Sequence, residues 1–574
     1  MALLCTGFSP AGAATPNLLL IIADDMNADS VGAFGAVMPG TTPNIDQLAS
    51  QGIRFEKAHV QVANCTPSRN VMWSGRYPHS NKVEGFYQVA NPGYLTLSDL
   101  MQQAGYFTAI HHKVAGSTPY SPYPWDLVLD TLPTGDLLHR KDPISFGVST
   151  AQGIEAAKLA GKPFSLLINV SDPHLPFYGL NKRGEPVEDP FVPSRIFTPG
   201  EVYVPPSLVD DPIVRQELAH YYSTVRRADD AVGEILAALQ ASGEADNTLV
   251  MFLSDHGMPF PFVKTQLYHH STLTPLVFRW PGTVKENAVD DVHMVSAIDI
   301  LPTLLEAIGA QIPTSLEGRS LLPLMRGKPQ DGRDKLFKEY AENSSGQRSP
   351  MRAIETKRFL YIFNPWSNGK RRMSSATMGT NTYKRMVELA EKDENIASRL
   401  DLLKYRVVEE LYDVEADPDC LVNLIDDPAY KQELSELRSS METWMRDTQD
   451  PALNAFNNRT EPKALTAFMT VQNLEAQQRR EWRRAIRDSI LKAKAEKAAD
   501  NDESNDHQIN QSSRHGENSD KGTGKLKTES EIIPIYSLHE TALPHSANAL
   551  NLRSRWCSAL TLCLFKLKRF DTAA

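Results

Sequence analysis

Four stretches of the chain share one pattern, an apolar run that stops on a polar cluster: PNLLLIIADD (16–25), GYFTAIHHK (105–113), PFSLLINVSDPH (163–174) and NTLVMFLSDHG (247–257). Continuous apolar runs bounded by turn residues predict strands buried on both faces of a parallel sheet. Between them the period becomes helical. TTPNIDQLASQG (41–52) has a threonine cap, a proline in its first turn and a glycine stop. RQELAHYYSTVRRADDAVGEILAALQASG (215–243) is a long amphipathic segment that also ends in glycine. Strands alternating with helices predict an α/β fold with a doubly wound, mostly parallel central sheet flanked by helices. Ligands of such sheets bind beyond the carboxyl ends of the strands. All four runs place their polar residues at that end, and four coincidences make a site.

After about residue 335 the texture changes. SPMRAIETKRFLYIF (349–363) and EELYDVEADPDC (409–420) predict antiparallel strands of a smaller α+β domain, with a helix over 429–449 packed on them. The expected organisation is a catalytic domain over 16–335, a smaller domain over 336–460, and a charged helix with a largely disordered polar tail over 461–574. Residues 1–15 read as the remnant of a secretory signal: an apolar start and a small-residue AGAA, without a basic n-region. That predicts a periplasmic or secreted protein.

Composition narrows the classes. With 41% apolar and 23% charged residues among 574, the chain has an ordinary globular balance. A net charge of −10 argues against a broad nucleic-acid footprint, so an anionic substrate needs local basic groups. No stretch reaches the ~18 apolar residues that a membrane span needs. Five cysteines, Cys5, Cys65, Cys420, Cys557 and Cys563, make no disulfide framework.

The chemistry lies at the strand ends. Asp24 and Asp25 are adjacent at one and Asp255 and His256 at another. Neighbouring carboxylates repel unless a cation or a shared proton compensates. Alone, an Asp-Asp pair is most often a solvated turn; with Asp255 it becomes an oxygen-rich site for a hard divalent cation, calcium or magnesium. His256 completes that shell or stands behind it. Arg69, Lys113, His174 and Lys264 add basic groups from separate parts of the chain. A dication with several basic groups binds a tetrahedral oxyanion and stabilises charge on it during transfer.

One cysteine remains to be explained. Cys65 opens CTPSR (65–69), with SGR (74–76) behind it, LIIADD before it and FLSDHG after it. On these residues the chain resembles the type I sulfatases of the alkaline-phosphatase superfamily over roughly residues 16–455. Within them SDHGMPFPFVKTQLYHHSTLTPLVFRWPG (254–282), SPMRAI (349–354) and ELYDVEADPDCLVNLIDDP (410–428) are most similar to heparan N-sulfatases. The resemblance implies that a maturation enzyme oxidises Cys65 to Cα-formylglycine, whose hydrate attacks sulfur. It implies one Ca2+ held by Asp24, Asp25, Asp255, His256 and the modified residue 65. Arg69 would hold the modified side chain, and Lys113, His174 and Lys264 would contact sulfate, with His174 or Lys264 protonating the leaving group. The implied partners are a sulfated carbohydrate and the formylglycine-generating enzyme, with no nucleic acid and no membrane span; a homodimer is left open.

One departure stands out. The family carries a histidine two or three residues after the lysine matched by Lys113, where this chain has Ala115 and Gly116. His111 or His112 replaces it only if the loop bends back. Two other readings remain: a phosphonate or phosphate ester hydrolase of the same superfamily, and a non-catalytic binder of sulfated glycans. An O-sulfatase acting on another glycan is the alternative within the family.

Overall fold

The structure, a computed structural model, describes residues 15–481 together with 484, 485 and 488. The signal-like segment and the polar tail therefore lie outside the described residues, Thr15 excepted. The chain divides into two units. One runs to residue 476 without 133–136 and holds everything discussed below; the other comprises 133–136, a turn, and residues from 477 on, helical where described.

Fourteen strands occur among the described residues: β1 Asn17–Asp24, β2 Ile53–Phe55, β3 Ala58–His59, β4 Phe107–His111, β5 Leu127–Val128, β6 Phe164–Pro173, β7 Thr248–Ser254, β8 Leu276–Arg279, β9 Ala288–Asp290, β10 Val295–Ser296, β11 Lys335–Glu342, β12 Arg348–Thr356, β13 Phe359–Phe363 and β14 Glu409–Asp413. Eight form the central sheet in the order β5-β4-β6-β1-β7-β8-β2-β9. Its middle is parallel, as the four apolar runs predict, and β8 alone runs antiparallel to both neighbours. β1, the most central run, is buried along its whole length because the sheet is covered on both faces. Leu19, Ile21 and Ala23 face one core with the helix Pro212–Ala241; Leu18, Leu20 and Ile22 face another with the helix Ile300–Ala307.

β11–β14 form a separate four-stranded antiparallel sheet, covered by the helix Lys431–Asp447. Leu434, Leu437, Met441, Trp444 and Met445 are that helix's buried face, at the spacing of one stripe. Register then builds the site. Ala23 pairs with Ser254, and Asp24 pairs with Pro173 across a bulge. The residues that follow β1, β6 and β7, namely Asp25, His174 and Asp255, therefore leave the sheet side by side.

Candidate active site

Cys65 begins the helix Cys65–Ser74, which ends on Gly75 at φ 61° with its N–H on the Val71 carbonyl. Arg69 lies one turn further along, so both residues share the face turned to the strand ends. The Arg69 guanidinium is fully buried. Its Nε donates to Asp255 Oδ2 at 3.0 Å, Nη2 lies 2.8 Å from the same oxygen, and Nη1 donates to Asn169 Oδ1. Ser68 Oγ donates to the Asp255 carbonyl at 2.7 Å, fastening the helix to the end of β7.

The carboxylates are anchored from several sides. The Asp25 N–H donates to Asp255 Oδ1 at 3.1 Å, and Lys264 Nζ donates to both Asp25 oxygens at 2.7 and 2.6 Å. Lys113 pairs with Asp24 Oδ2, and Arg69 Nη2 lies 3.7 Å from Asp24 Oδ1. Asp25, His112, Lys113 and Thr265 all hold positive φ, at 71°, 59°, 53° and 65°. Left-handed backbone at non-glycine residues is costly, and here it accompanies the bends that bring the Asp25 and Lys113 charges into the centre.

Burial alone would raise the Asp24 and Asp25 carboxyls. The permanent cations win: Lys113 and Arg69 hold Asp24 well below the usual range, and Lys264 lowers Asp25. Burial raises the Asp255 carboxyl despite Arg69. Burial and the Asp24 charge also push the Cys65 thiol up, so the unmodified cysteine is a protonated thiol and a poor nucleophile. Desolvation and the Lys264 ammonium push His174 down to about 4, although 36% of its side-chain surface stays open.

These residues fit a metal ion. Asp24 Oδ1 and His256 Nε2 are buried without a hydrogen-bond partner, and Asp24 Oδ2 has its ion pair with Lys113. His256 Nδ1 donates to the Gly257 carbonyl at 2.9 Å, and its Nε2 faces Asp25 Oδ1 at 3.1 Å. Buried carboxylate and imidazole donors gathered in a dry site suit a cation among them. Donor atoms of Asp24, Asp25, Cys65 and His256 all lie within 4.8 Å of one another. Asp255 stands beside them, its oxygens already taken by Arg69 and the Asp25 N–H. Two other clusters, His59–His269–Glu355 and His79–Glu339–Asp450, are compensated by Lys338 on Glu355 and by Arg352 on Glu339 and Asp450.

The structure thus brings Asp24, Asp25, Cys65, Arg69, Lys113, His174, Asp255, His256 and Lys264 to one place. It also separates the two histidines before Lys113. His111 Nδ1 donates to the Leu129 carbonyl at 2.8 Å and its ring meets Phe146 edge-on, away from the centre. His112 sits on the left-handed bend within electrostatic reach of Lys113 and Asp24.

Three participants escaped the sequence. Asn169, inside β6, accepts from Arg69 and donates to the His111 and His112 carbonyls at 3.1 and 2.8 Å. A polar residue in the otherwise apolar LLINV was its available signal. Lys141 binds Asp172 and donates to the His174 carbonyl at 2.7 Å, while Arg227 Nε donates to Asp172 Oδ2 at 2.6 Å. Neither position carries a pattern that distinguishes it from solvated surface.

A carboxylate cluster fit for a hard cation, ringed by basic groups at the ends of parallel strands, defines a hydrolase of anionic esters. The particular family follows from comparison: residues 16–310 match the family described as Sulfatase, and the chain belongs to it as a sulfuric ester hydrolase. Residues 255–368 match the C-terminal family of N-sulphoglucosamine sulphohydrolase. The human N-sulphoglucosamine sulphohydrolase is 29% identical over 471 residues, covering 76% of this chain and 91% of that protein. An ulvan-active sulfatase of Formosa agariphila is 25% identical over 469 residues, 76% of each chain. Among solved structures, one in complex with its substrate D-glucosamine-2-N,6-O-disulfate superposes with a TM-score of 0.56 at 19% identity, covering 76% of this chain and 98% of that one. A phosphonate monoester hydrolase of Agrobacterium radiobacter gives 0.53 at 20%, covering 74% and 96%. At such identities the superpositions speak for the shared fold.

Among the described residues no helix is long and apolar enough to cross a membrane.

Proposed function

We propose that the protein removes the N-linked sulfate of glucosamine in heparan-type glycans, outside the cytoplasm, using Cα-formylglycine formed from Cys65 and one Ca2+. The observation that carries the mechanism is the position of Cys65: at the centre of the cation and carboxylate cluster, yet with its thiol pushed up and so unfit to attack. The N-sulfo preference is supported by the match over 255–368, which contains Lys264.

Formylglycine at position 65, as its hydrate, would supply one hydroxyl as the nucleophile and a second from which the aldehyde re-forms with release of sulfate. Calcium would be held by Asp24, Asp25 and His256, with Asp255 bordering the site, and would supply Lewis-acid polarisation of the sulfate and the nucleophile. Lys113 and Lys264 keep their charges, because Asp24 and Asp25 outweigh the desolvation that would lower them, and both serve to bind sulfate oxygens. His174 is neutral before substrate arrives. An incoming sulfate anion raises its pKa by simple Coulomb attraction, and Nε2 then holds a proton for the leaving nitrogen. Nδ1 stays fixed on the Leu175 carbonyl at 2.7 Å throughout. Of the two histidines before Lys113, His112, within electrostatic reach of Lys113 and Asp24, would take the remaining hydroxyl's proton as sulfate leaves.

The test is sulfate release from N-sulfoglucosamine and from 6-O-sulfated N-acetylglucosamine, using protein matured by a formylglycine-generating enzyme and Cys65→Ala as blank. Release from the N-sulfated sugar is expected. Release from the O-sulfated sugar alone would discard the N-sulfo preference and keep a sulfatase.

A further inference from the structure

Two loops leave the active site and meet again outside it. One starts at His174 and runs to Lys182 and Arg183. The other is tied to the site at Ser375, whose Oγ lies 2.7 Å from Oγ1 of Thr265, the neighbour of Lys264. From Ser375 the chain runs back to Lys370 and Arg372 and forward to the helix Asn381–Leu389. The loops rejoin where Asn381 Nδ2 donates to the Gly184 carbonyl at 3.0 Å and Lys384 Nζ approaches the Arg183 carbonyl at 3.5 Å. Glu217, buried in the long helix Pro212–Ala241, accepts the Asn381 and Thr382 N–H groups at 2.8 and 2.6 Å and holds that junction in place.

The side chains along this path are cations. Lys182, Arg183, Lys370, Arg372 and Lys384 are exposed, and among the described residues none of them forms an ion pair with a carboxylate. Glu185, the acidic residue beside them, is engaged by Asn181 Nδ2 at 2.8 Å. Arg372 lies 5.8 Å above the Tyr405 ring and within electrostatic reach of Tyr383, next to Lys384, so the 370–372 and 384 segments adjoin. Arg372 is three residues from Ser375, at most about 11 Å of chain. Five unpaired cations on a protein of net charge −10 run against its overall field. Unpaired like charges gathered on one path are unfavourable unless an anion answers them.

We propose that Arg183, Arg372 and Lys384, with Lys182 and Lys370 beside them, form a track for further sulfate and carboxylate groups of the same glycan, beyond the sugar that loses its sulfate. The protein's preferred substrate is then an anionic oligosaccharide or longer chain, not the free monosaccharide. This rests on the proposed function for the identity of the glycan.

Two measurements on the full chain test it. The first is the ratio of kcat/KM for an N-sulfated hexasaccharide to that for N-sulfoglucosamine. In Arg183→Ser/Arg372→Ser/Lys384→Ser the ratio should fall at least about fivefold at low ionic strength, with the difference shrinking as salt screens the track. An unchanged ratio overturns the proposal. The second needs no turnover: Cys65→Ser protein with and without the triple substitution is eluted by salt from immobilised sulfated oligosaccharide. Earlier elution of the triple variant supports the track, and equal elution overturns it. If matured protein releases no sulfate from either sugar, the proposed function fails while the column still decides the track.

Discussion

Arg69 carries more of the site than its place in a maturation motif suggests. Its planar fork reaches Asp255 with one edge and Asn169 with the other, in full burial. A lysine has one ammonium and cannot span both. Arg69→Lys should therefore lose about 3 kcal/mol, by analogy with breaking a buried ion pair, and lower the thermal midpoint before any assay of turnover. The two adjacent histidines should separate cleanly. His112→Ala is expected to lower kcat by roughly 10²-fold with little change in KM, the scale of a lost general acid–base group. His111→Ala should act through stability, since its ring is bonded to Leu129 and packed on Phe146. Equal turnover in parent and His112→Ala would remove His112 from the mechanism.

At the scale of elements, the segment from β7 to Lys264 depends on one close approach. A Cβ on Gly257 would stand 2.2 Å from the His270 carbonyl oxygen and 2.5 Å from Val263 Cγ1. Gly257→Ala must push this loop outward and Lys264 with it, so lowered melting and lost activity are expected together. The second sheet is fastened to the short helix Pro78–Asn81 by a different device. His79 meets Glu339 of β11 through Nδ1 and donates from Nε2 to the Thr448 carbonyl at 3.1 Å, while Trp444 stacks on Phe337 with centroids 4.8 Å apart. Burial alone would lower His79, but the Glu339 carboxylate raises it to about 9. A folded-state pKa above the unfolded value of about 6.5 gives stability that is complete below that pH and lost as pH rises through the folded pKa. The contribution is at most about 3 kcal/mol. Chemical denaturation between neutral pH and pH ~10 should show that decline, and His79→Gln should flatten it; a slope unaltered by the substitution would refute the assignment.

For the molecule as a whole, a cation bound to the native carboxylate cluster and not to the unfolded chain stabilises by mass action. Calcium at a hundredfold its Kd should add about 2.7 kcal/mol, visible as a rise in melting temperature that Asp24→Asn abolishes along with activity. Much of this architecture was legible in the residues. The four apolar runs became β1, β4, β6 and β7 within two residues or so, because strands buried on both faces leave no polar interruptions to confuse the reading. The helix expected from 215 instead starts at Pro212, where Asp211 caps it by accepting the Ile213 N–H, a cap that lies ahead of the amphipathic stripe. Two-residue strands such as β3 and β5 were invisible, since they exist only through pairing partners far along the chain. The charged residues of the site could be nominated, but not their contacts: Asn169 and Lys141 matter through a carbonyl and a guanidinium that only folding brings near.

The left-handed residues around the centre have a consequence for anyone seeking a hardier enzyme. Asp25, His112, Lys113, Phe262 and Thr265 each hold positive φ, at ~1 kcal/mol apiece for a side chain other than glycine. Their sum is a sizeable part of the 5–15 kcal/mol typical of a folded domain. A library screened for heat resistance alone would be drawn to glycine at these very positions, and its best survivors would be sturdy proteins with no charge left where sulfate must sit.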